Sequence, residues 1–221
     1  VAVWLNDTLA PVNEETRKRV SMIALAVRDA GGYVDEEARP EFDVTEIHDN
    51  YQALLTAVMA SRNSLEEYES LQQRLAESDP DSDRARGLRR QLASYRDYAM
   101  ANETRTKARW AWHEFFKQYD VVLMPTMPTP AFEHDHRPFH ERTLQVDNET
   151  RGYNEGVFWA GHAISAYLPS TVVPTGAKGE GLPIGIQIMG PEYGDLKTIG
   201  FAKLLEAEGF SFVPPPAYVS A

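Results

Sequence analysis

The side chains best suited to chemistry in this sequence gather at Glu133-His134-Asp135-His136-Arg137-Pro138-Phe139-His140. A His-x-His pair binds zinc or another divalent ion when both imidazoles are neutral and a third ligand converges. Three readings stay open for this stretch: a metal site, a loop facing a substrate or an interface, and a plain polar loop. Its irregular, proline-flanked surroundings do not fix the geometry. Ser170 invites a nucleophilic reading, but it follows Pro169 at a strand entrance and suits a turn or cap. The Gly-x-Ser-x-Gly elbow that exposes a hydrolase serine is absent from the sequence. Gly176, Gly179 and Gly181 lack a Lys-Ser or Lys-Thr ending and lead into a strand, so they suit a loop between strands better than a phosphate cradle. With no cysteine, thiolate nucleophiles, disulfides and Cys-based zinc sites are excluded.

The elements around these residues alternate between strands and helices. Val1 to Leu5 reads as a strand, and its position at the very first residue, without an initiator methionine, leads us to expect a chain cut from something longer. Asn13 caps a helix whose first turn carries Glu14 and Glu15. Val20, Ile23, Val27 and Ala30 form its apolar face, and Gly31-Gly32 ends it. A strand over Tyr33 to Glu37 would complete a right-handed βαβ unit. Ile47, Tyr51, Leu54, Leu55, Val58 and Met59 define a second amphipathic helix. Residues 63–81 are polar, with a break at Asp79 to Ser82. Residues 83–118 read as one long, kinked helix, and Tyr119 to Met124 as a buried strand. Pro125, Pro128 and Pro130 open a stretch without periodicity that runs to Thr150. A helix over 153–166, strands at Thr171 to Val173 and Ile184 to Met189, and a last helix follow. Asp195 caps that helix, its apolar face is Leu196, Ile199, Ala202 and Leu205, and it stops near Gly209. The Pro214-Pro215-Pro216 tail is extended.

A chain of 221 residues buries a substantial core, roughly 70% of its unfolded surface. No apolar run approaches the ~18 residues needed to cross a bilayer, and no signal segment opens the chain, so a cytoplasmic location is the default. The net charge of −11 opposes phosphate-rich partners. Residues 82–118 run the other way, with 9 basic and 4 acidic side chains. A solvated helix face docking on acidic neighbours is favoured there over an RNA-binding helix, and neither nucleic acid nor a membrane is expected as a partner.

Three segments, YDVVLMPTMPTPAF at 119–132, LPSTVVPTG at 168–176 and GLPIGIQIMGPEYGD at 181–195, resemble the C-terminal half of the amidase signature family in order and spacing. The opening, through Pro11-Val12 to Gly31-Gly32, is similar to the segment that follows the family's nucleophile. The resemblance implies an α/β fold, a mixed β-sheet flanked by helices. The whole of 1–221 would be the C-terminal part of one domain, with a helical insertion or cap at approximately 60–118. It also implies hydrolysis of carboxylic amides by a Ser–cis-Ser–Lys triad with backbone amides holding the oxyanion, and no cofactor.

All triad residues would lie upstream of this chain. No Gly-Gly-Ser-Ser-Gly-Gly-like run is present, and neither Lys18 nor Lys107 sits in the context of the family's lysine. No catalytic residue and no metal ligand is therefore assigned, and the chain alone is expected to be inactive. Because the family's C-terminal half commonly lines the acyl pocket, Thr126, Met127, Phe158, Trp159 and Tyr167 are the pocket candidates. Many members carry Asn and Gly where this sequence has Ile164 and Tyr167. Tyr167 would either narrow the pocket or stand as a repacked core aromatic. Expected partners are a small-molecule amide and the missing N-terminal half of the fold. Self-association through uncovered apolar surface is also expected. Rival readings are a non-catalytic binding or scaffold subunit of a split or degenerate amidase, and a metal-dependent hydrolase using His134, His136 and His140.

Overall fold

The computed structural model describes residues 1–175 and 182–214, which leaves the glycine-rich loop at Gly176, Gly179 and Gly181, and the tail from Pro215 on, outside the described residues. The chain divides into two compact units, one of residues 1–41 with 112–221 and one of residues 42–111.

The first unit is built on a four-stranded mixed sheet, with β1 (Ala2–Val3), β2 (Val122–Pro125), β5 (Ser170–Pro174) and β6 (Gly185–Met189) in the order β1-β2-β6-β5. β1 and β2 run parallel, while β2 with β6 and β6 with β5 are antiparallel. All four residues of β2 are buried, as a strand covered on both faces requires. One face carries Val3, Val121, Leu123, Val173, Ile186 and Ile188, packed with Val20, Ile23, Ala24 and Val27 of α1 (Glu14–Asp29) and with Leu205 of α7 (Asp195–Ala207). The strand period of two sends Val122, Met124, Gln187 and Met189 to the opposite face. There α6 (Phe158–Ala166) lies over Gln187, whose amide bonds the Trp159 carbonyl.

α1 begins and ends where the sequence indicates. Asn13 Oδ1 accepts from the Thr16 N–H at 3.0 Å, and beyond Ala30 the chain turns at Gly31 with φ +85°. Tyr33 to Glu37 does not form the expected strand. Asp35 alone bridges to Ala2, through Val3 N–H to Asp35 O at 2.9 Å and Asp35 N–H to Val1 O at 3.0 Å. Asp35 Oδ1 also accepts from Glu37 N and Ala38 N, and those local bonds turn the chain away before a ladder can extend.

The stretch from Pro125 to Thr150 is more ordered than its composition suggests. Thr143–Val146 and Glu149–Gly152 form an antiparallel hairpin, β3 and β4, closed by Asp147-Asn148 with Asp147 at φ +50°. A two-residue turn needs positive φ, which Asp and Asn tolerate. The last helix also departs from expectation. Asp195 is its first residue rather than its cap, and Leu196 is 85% exposed while Thr198 and Leu205 are buried.

The second unit is helical, with α2 (Val44–Ala60), α3 (Leu65–Ala76), α4 (Asp83–Gln91) and most of α5 (Tyr95–Phe115). Ile47, Tyr51 and Leu54 are buried on α2 as its period requires, but Val58 and Met59 are exposed. α3 occupies the polar stretch, started by a Ser64–Glu67 capping box. The long helix expected over 83–118 is two helices. Ser94 and Asp97 exchange hydrogen bonds, Ser94 N to Asp97 Oδ2 at 2.9 Å and Asp97 N to Ser94 Oγ at 3.2 Å, and so start α5 afresh.

Candidate functional site

Gln187 of β6 is a buried polar side chain of the first unit that makes three directional bonds. Its Nε2 donates to Pro125 O and to Trp159 O, both at 2.9 Å, and its Oε1 accepts from Ser170 Oγ at 3.1 Å. One amide thus ties the C-terminal end of β2, the first turn of α6 and the start of β5. Beyond Pro125 the chain enters Thr126 and Met127. Thr126 Oγ1 donates to Gly185 O at 3.1 Å, which holds the segment to β6. Met127 lies against Gly156, where an added Cβ would meet Met127 Cε at 3.1 Å and Leu144 Cδ1 at 3.5 Å. Both side chains are partly exposed.

Phe158 and Trp159 lie beneath this segment in an aromatic core. Trp4 and Trp159 meet edge to face at 6.2 Å, Phe158 and Trp159 at 5.1 Å, and His162 sits 4.7 Å from Trp4 and 4.9 Å from Phe158. Trp159 Nε1 donates to Ala10 O at 3.2 Å, which gives its buried N–H the acceptor it needs. Phe158 and Trp159 are fully buried. Tyr167 stands at the other end of α6, eight residues from Trp159 and roughly 12 Å along the axis at 1.5 Å per residue. It is 51% exposed and is therefore not a core aromatic. Its φ of +57° is a left-handed conformation that glycine adopts without strain, which explains why glycine suits this position. The structure thus brings Thr126, Met127, Phe158 and Trp159 to one region and leaves Tyr167 apart from them. Gln187, which lies in a segment that carries the family resemblance, and Gly156 organise that region without being among the pocket candidates. A polar residue inside the apolar run Ile184 to Met189 was the available signal.

Three hydroxyls near this region are already bonded. Ser170 donates to Gln187, Ser165 Oγ to His162 O at 3.4 Å and Thr175 Oγ1 to Ile184 O at 2.9 Å, and none of these acceptors is a base. Lys18 is a surface residue paired with Glu14 at 2.6 Å. In the histidine loop, His134 and His136 stand 6.1 Å apart between ring centres, and His140 lies 3.7 Å from Glu141. Asp135 accepts from Arg137 Nε and N–H and pairs with its guanidinium at 2.6 Å, which lowers its carboxyl to about 2. Among the described residues, no group of three His, Asp or Glu side chains is placed to hold a metal ion.

The architecture is a mixed α/β sheet with helices on both faces and a polar clamp at the mouth of its central strands. The family model described as Amidase matches residues 1–199, and the chain belongs to that family. A glutamyl-tRNA(Gln) amidotransferase subunit of Halothermothrix orenii is 34% identical over 109 residues, 49% of this chain and 21% of that protein. Its counterpart in Leptospira interrogans is 34% identical over 126 residues, 56% of this chain and 24% of that one. The crystal structure of the same amidotransferase component from Thermotoga maritima superposes with a TM-score of 0.61 at 19% identity, covering 94% of this chain and 42% of that one. A chain of a vestigial protein complex, described as revealing the origins of an s-triazine catabolic enzyme, superposes at 0.66 and 18% identity, covering 96% and 44%. These structural likenesses carry the fold. The chain spans about a quarter or less of the curated relatives, and less than half of the solved structures. Among the described residues no helix is long and apolar enough to cross a membrane.

Proposed function

We propose that these residues form the C-terminal region of an amidase-signature enzyme that hydrolyses a carboxylic amide, with its Ser–cis-Ser–Lys triad on chain upstream of Val1. The observation that carries this reading is the family match over residues 1–199 in a chain covering under half of each solved relative. In such an enzyme the lysine serves as base through the bridging serine, and backbone N–H groups hold the oxyanion without a cofactor. The part played by this chain is positional. Thr126 and Met127 form the accessible pocket wall, Phe158 and Trp159 back it, and Tyr167 contributes from the far end of α6. The helical unit is an insertion in the α/β domain. The substrate is a small-molecule amide, the remaining half of the fold is a partner, and the setting is cytoplasmic. The amidotransferase components among the relatives make partner proteins part of the reading.

A second reading, a non-catalytic component of a split amidase, draws on the vestigial complex named for one structural neighbour. Amide hydrolysis by the full-length gene product and by the 221-residue chain, assayed side by side with simple amides, separates the possibilities. Turnover by the longer protein alone is the expected result. Activity of the short chain by itself would overturn the upstream triad, and inactivity of both would favour the scaffold.

A further inference from the structure

The β3–β4 hairpin brings a cation and an aromatic ring together at its open end. Its register pairs Thr143 with Gly152, so Arg142 and Tyr153 stand just beyond the last pair. The Arg142 guanidinium carbon lies 5.8 Å from the Tyr153 ring centre. Phe139 and Phe132 meet the same ring edge to face, at 5.3 and 6.1 Å. Rings that served only to anchor the hairpin would be buried, yet Phe139 is 56% and Phe132 46% exposed.

The cation of this cluster is held in place without being neutralised. Arg142 is half-buried, and its Nε donates to Arg137 O at 2.8 Å. Among the described residues, neither of its Nη atoms has a hydrogen-bond or ion-pair partner. Asp135 is bonded to Arg137 at 2.6 Å, and the charge of Arg142 lowers the same carboxyl further, so two guanidinium groups share one carboxylate. Glu141 lies 3.7 Å from His140 Nε2. Asp135, Arg137 and Arg142 together therefore leave one positive charge over. It sits on a planar fork whose two Nη groups suit a carboxylate bidentately.

This charge adjoins the candidate pocket wall. The stretches Met127 to Phe132 and Tyr153 to Gly156 meet twice, Phe132 against Tyr153 and Met127 against Gly156, where an added Cβ would come within 3.1 Å of Met127 Cε. Tyr153 and Gly156 are three residues apart in one 3₁₀ helix, Tyr153–Val157, or about 6 Å along its axis. A strip thus runs from Met127 past two exposed rings to a guanidinium.

We propose that Arg142 is a specificity-determining residue and that the substrate is an amide bearing a carboxylate on an apolar or aromatic group, with the carboxylate paired to Arg142 Nη1 and Nη2 and the apolar part lying on Phe132 and Phe139. This rests on the amidase reading and narrows its substrate class. A net charge of −11 repels anions in general, so an anionic substrate needs a local cation, and Arg142 supplies it.

The test uses the full-length gene product with phenylacetamide and 3-phenylpropionamide, each with and without a 4-carboxyl group. Hydrolysis is read as ammonia release and binding by calorimetric titration. For at least one pair, kcat/KM should favour the carboxylated amide by about 10–100-fold, the range of a charge-assisted pair. Arg142→Gln should abolish that preference through KM rather than kcat, and Arg142→Lys, which keeps the charge but loses the fork, should restore part of it. No preference in the parent protein, or one that survives Arg142→Gln, overturns the proposal. An equal loss with both members of a pair also overturns it, since Arg142 would then act only on the fold. The two readings fail separately. Carboxylated amide bound by the parent but not by Arg142→Gln, with no amide hydrolysed, refutes the amidase reading and leaves the carboxylate site standing. Hydrolysis without the preference refutes the role of Arg142 alone, and absence of both binding and hydrolysis refutes the two together.

Discussion

Replacing Gln187 with leucine removes two donated hydrogen bonds from a buried site while nearly conserving volume. The Nε2 bonds to Pro125 O and Trp159 O are both 2.9 Å, and the third bond, from Ser170 Oγ, is 3.1 Å. Each donated bond contributes about 0.5–1.5 kcal/mol net, and a carbonyl left dry costs about 1–3 kcal/mol. Trp159 O lies in the first turn of α6, where the helical N–H four residues on still serves it, so the larger penalty falls on Pro125 O. The sum is about 3 kcal/mol, or roughly 6–12 °C in Tm at the ~2–4 °C per kcal/mol usual for this length. Urea unfolding of the 221-residue chain followed by tryptophan fluorescence reads this directly, because Trp4, Trp112 and Trp159 are buried in the unit that holds Gln187. Gln187→Glu supplies an internal control. Its carboxylate would face two carbonyl oxygens, which raises its pKa in the fold. That variant should therefore be closest to the parent below the unfolded value of ~4.3 and lose ground as pH rises. Ser170→Ala made in the Gln187→Leu background should add almost nothing, since the partner is already gone. A loss under about 1 kcal/mol for Gln187→Leu, against the expected 3, would refute the clamp.

Three further outcomes are expected. The Tyr119 hydroxyl donates to Asp35 Oδ2 at 2.6 Å, and that bond to the carboxylate pushes the phenol up from 10.0 to about 12. The folded value is the higher one, so the stability it brings is complete below pH 10 and is lost as pH rises through 12. Alkaline difference spectroscopy should lose a late-titrating component in Tyr119→Phe, while the Tyr51 phenol, which burial also pushes up, keeps its own. Tyr167→Gly relieves a left-handed backbone and should stabilise the chain by about 1 kcal/mol, read as a higher urea midpoint; a lower midpoint would mean that ring contacts outweigh the strain. Gly190→Ala places a Cβ 2.6 Å from Thr198 Cγ2 and should cost about 1–3 kcal/mol in the same assay, with Thr198→Ser recovering part of it by removing that methyl.

The parts of the fold that were legible in sequence are those where a local signal and the tertiary environment agree. Asn13, two acidic residues and a regular apolar face placed α1, and short apolar runs placed β2, β5 and β6. What escaped was decided by single side chains acting on the backbone. Asp35 turns the chain after one bridge and forestalls a strand, and Ser94 with Asp97 divides a continuous helical period in two. Asp147-Asn148 closes a hairpin whose four-residue strands are so short that the Thr-Leu-Gln-Val alternation of β3 does not stand out. On α7 the error was one of direction. Leu196 and Ile199 are as apolar as Leu205, but Thr198 is the residue turned to the sheet, where its hydroxyl accepts from Thr171 Oγ1 at 2.8 Å. Hydropathy could not rank a threonine above a leucine for burial. At the candidate site, Thr126 and Met127 were legible from their place after a strand, while the burial of Phe158 and Trp159 depends on Trp4, far away in sequence.

The segments that carry the family likeness are rich in residues whose work is geometric, which is why a chain without a recognisable nucleophile can still be placed. A Cβ on Gly185 would stand 3.0 Å from Val172 Cγ1, so glycine there lets β5 and β6 pair without displacing that side chain. Gly190 admits Thr198 in the same way, and Asp120 pairs with Lys197 at 3.0 Å to hold the start of α7 beside β2. Thr126 and Gln187 then tie the end of β2 to β6 and α6. Each contact constrains residue type through space or hydrogen bonding and leaves reactivity aside. On the proposed reading these contacts support a pocket wall to which Thr126 and Met127 belong. A substrate pocket draws on that support, since positioning within about an ångström decides whether a neighbouring nucleophile meets its carbonyl. On this argument, loosening Gln187 in the full-length enzyme should lower kcat/KM through the wall even though Gln187 itself is sealed from substrate.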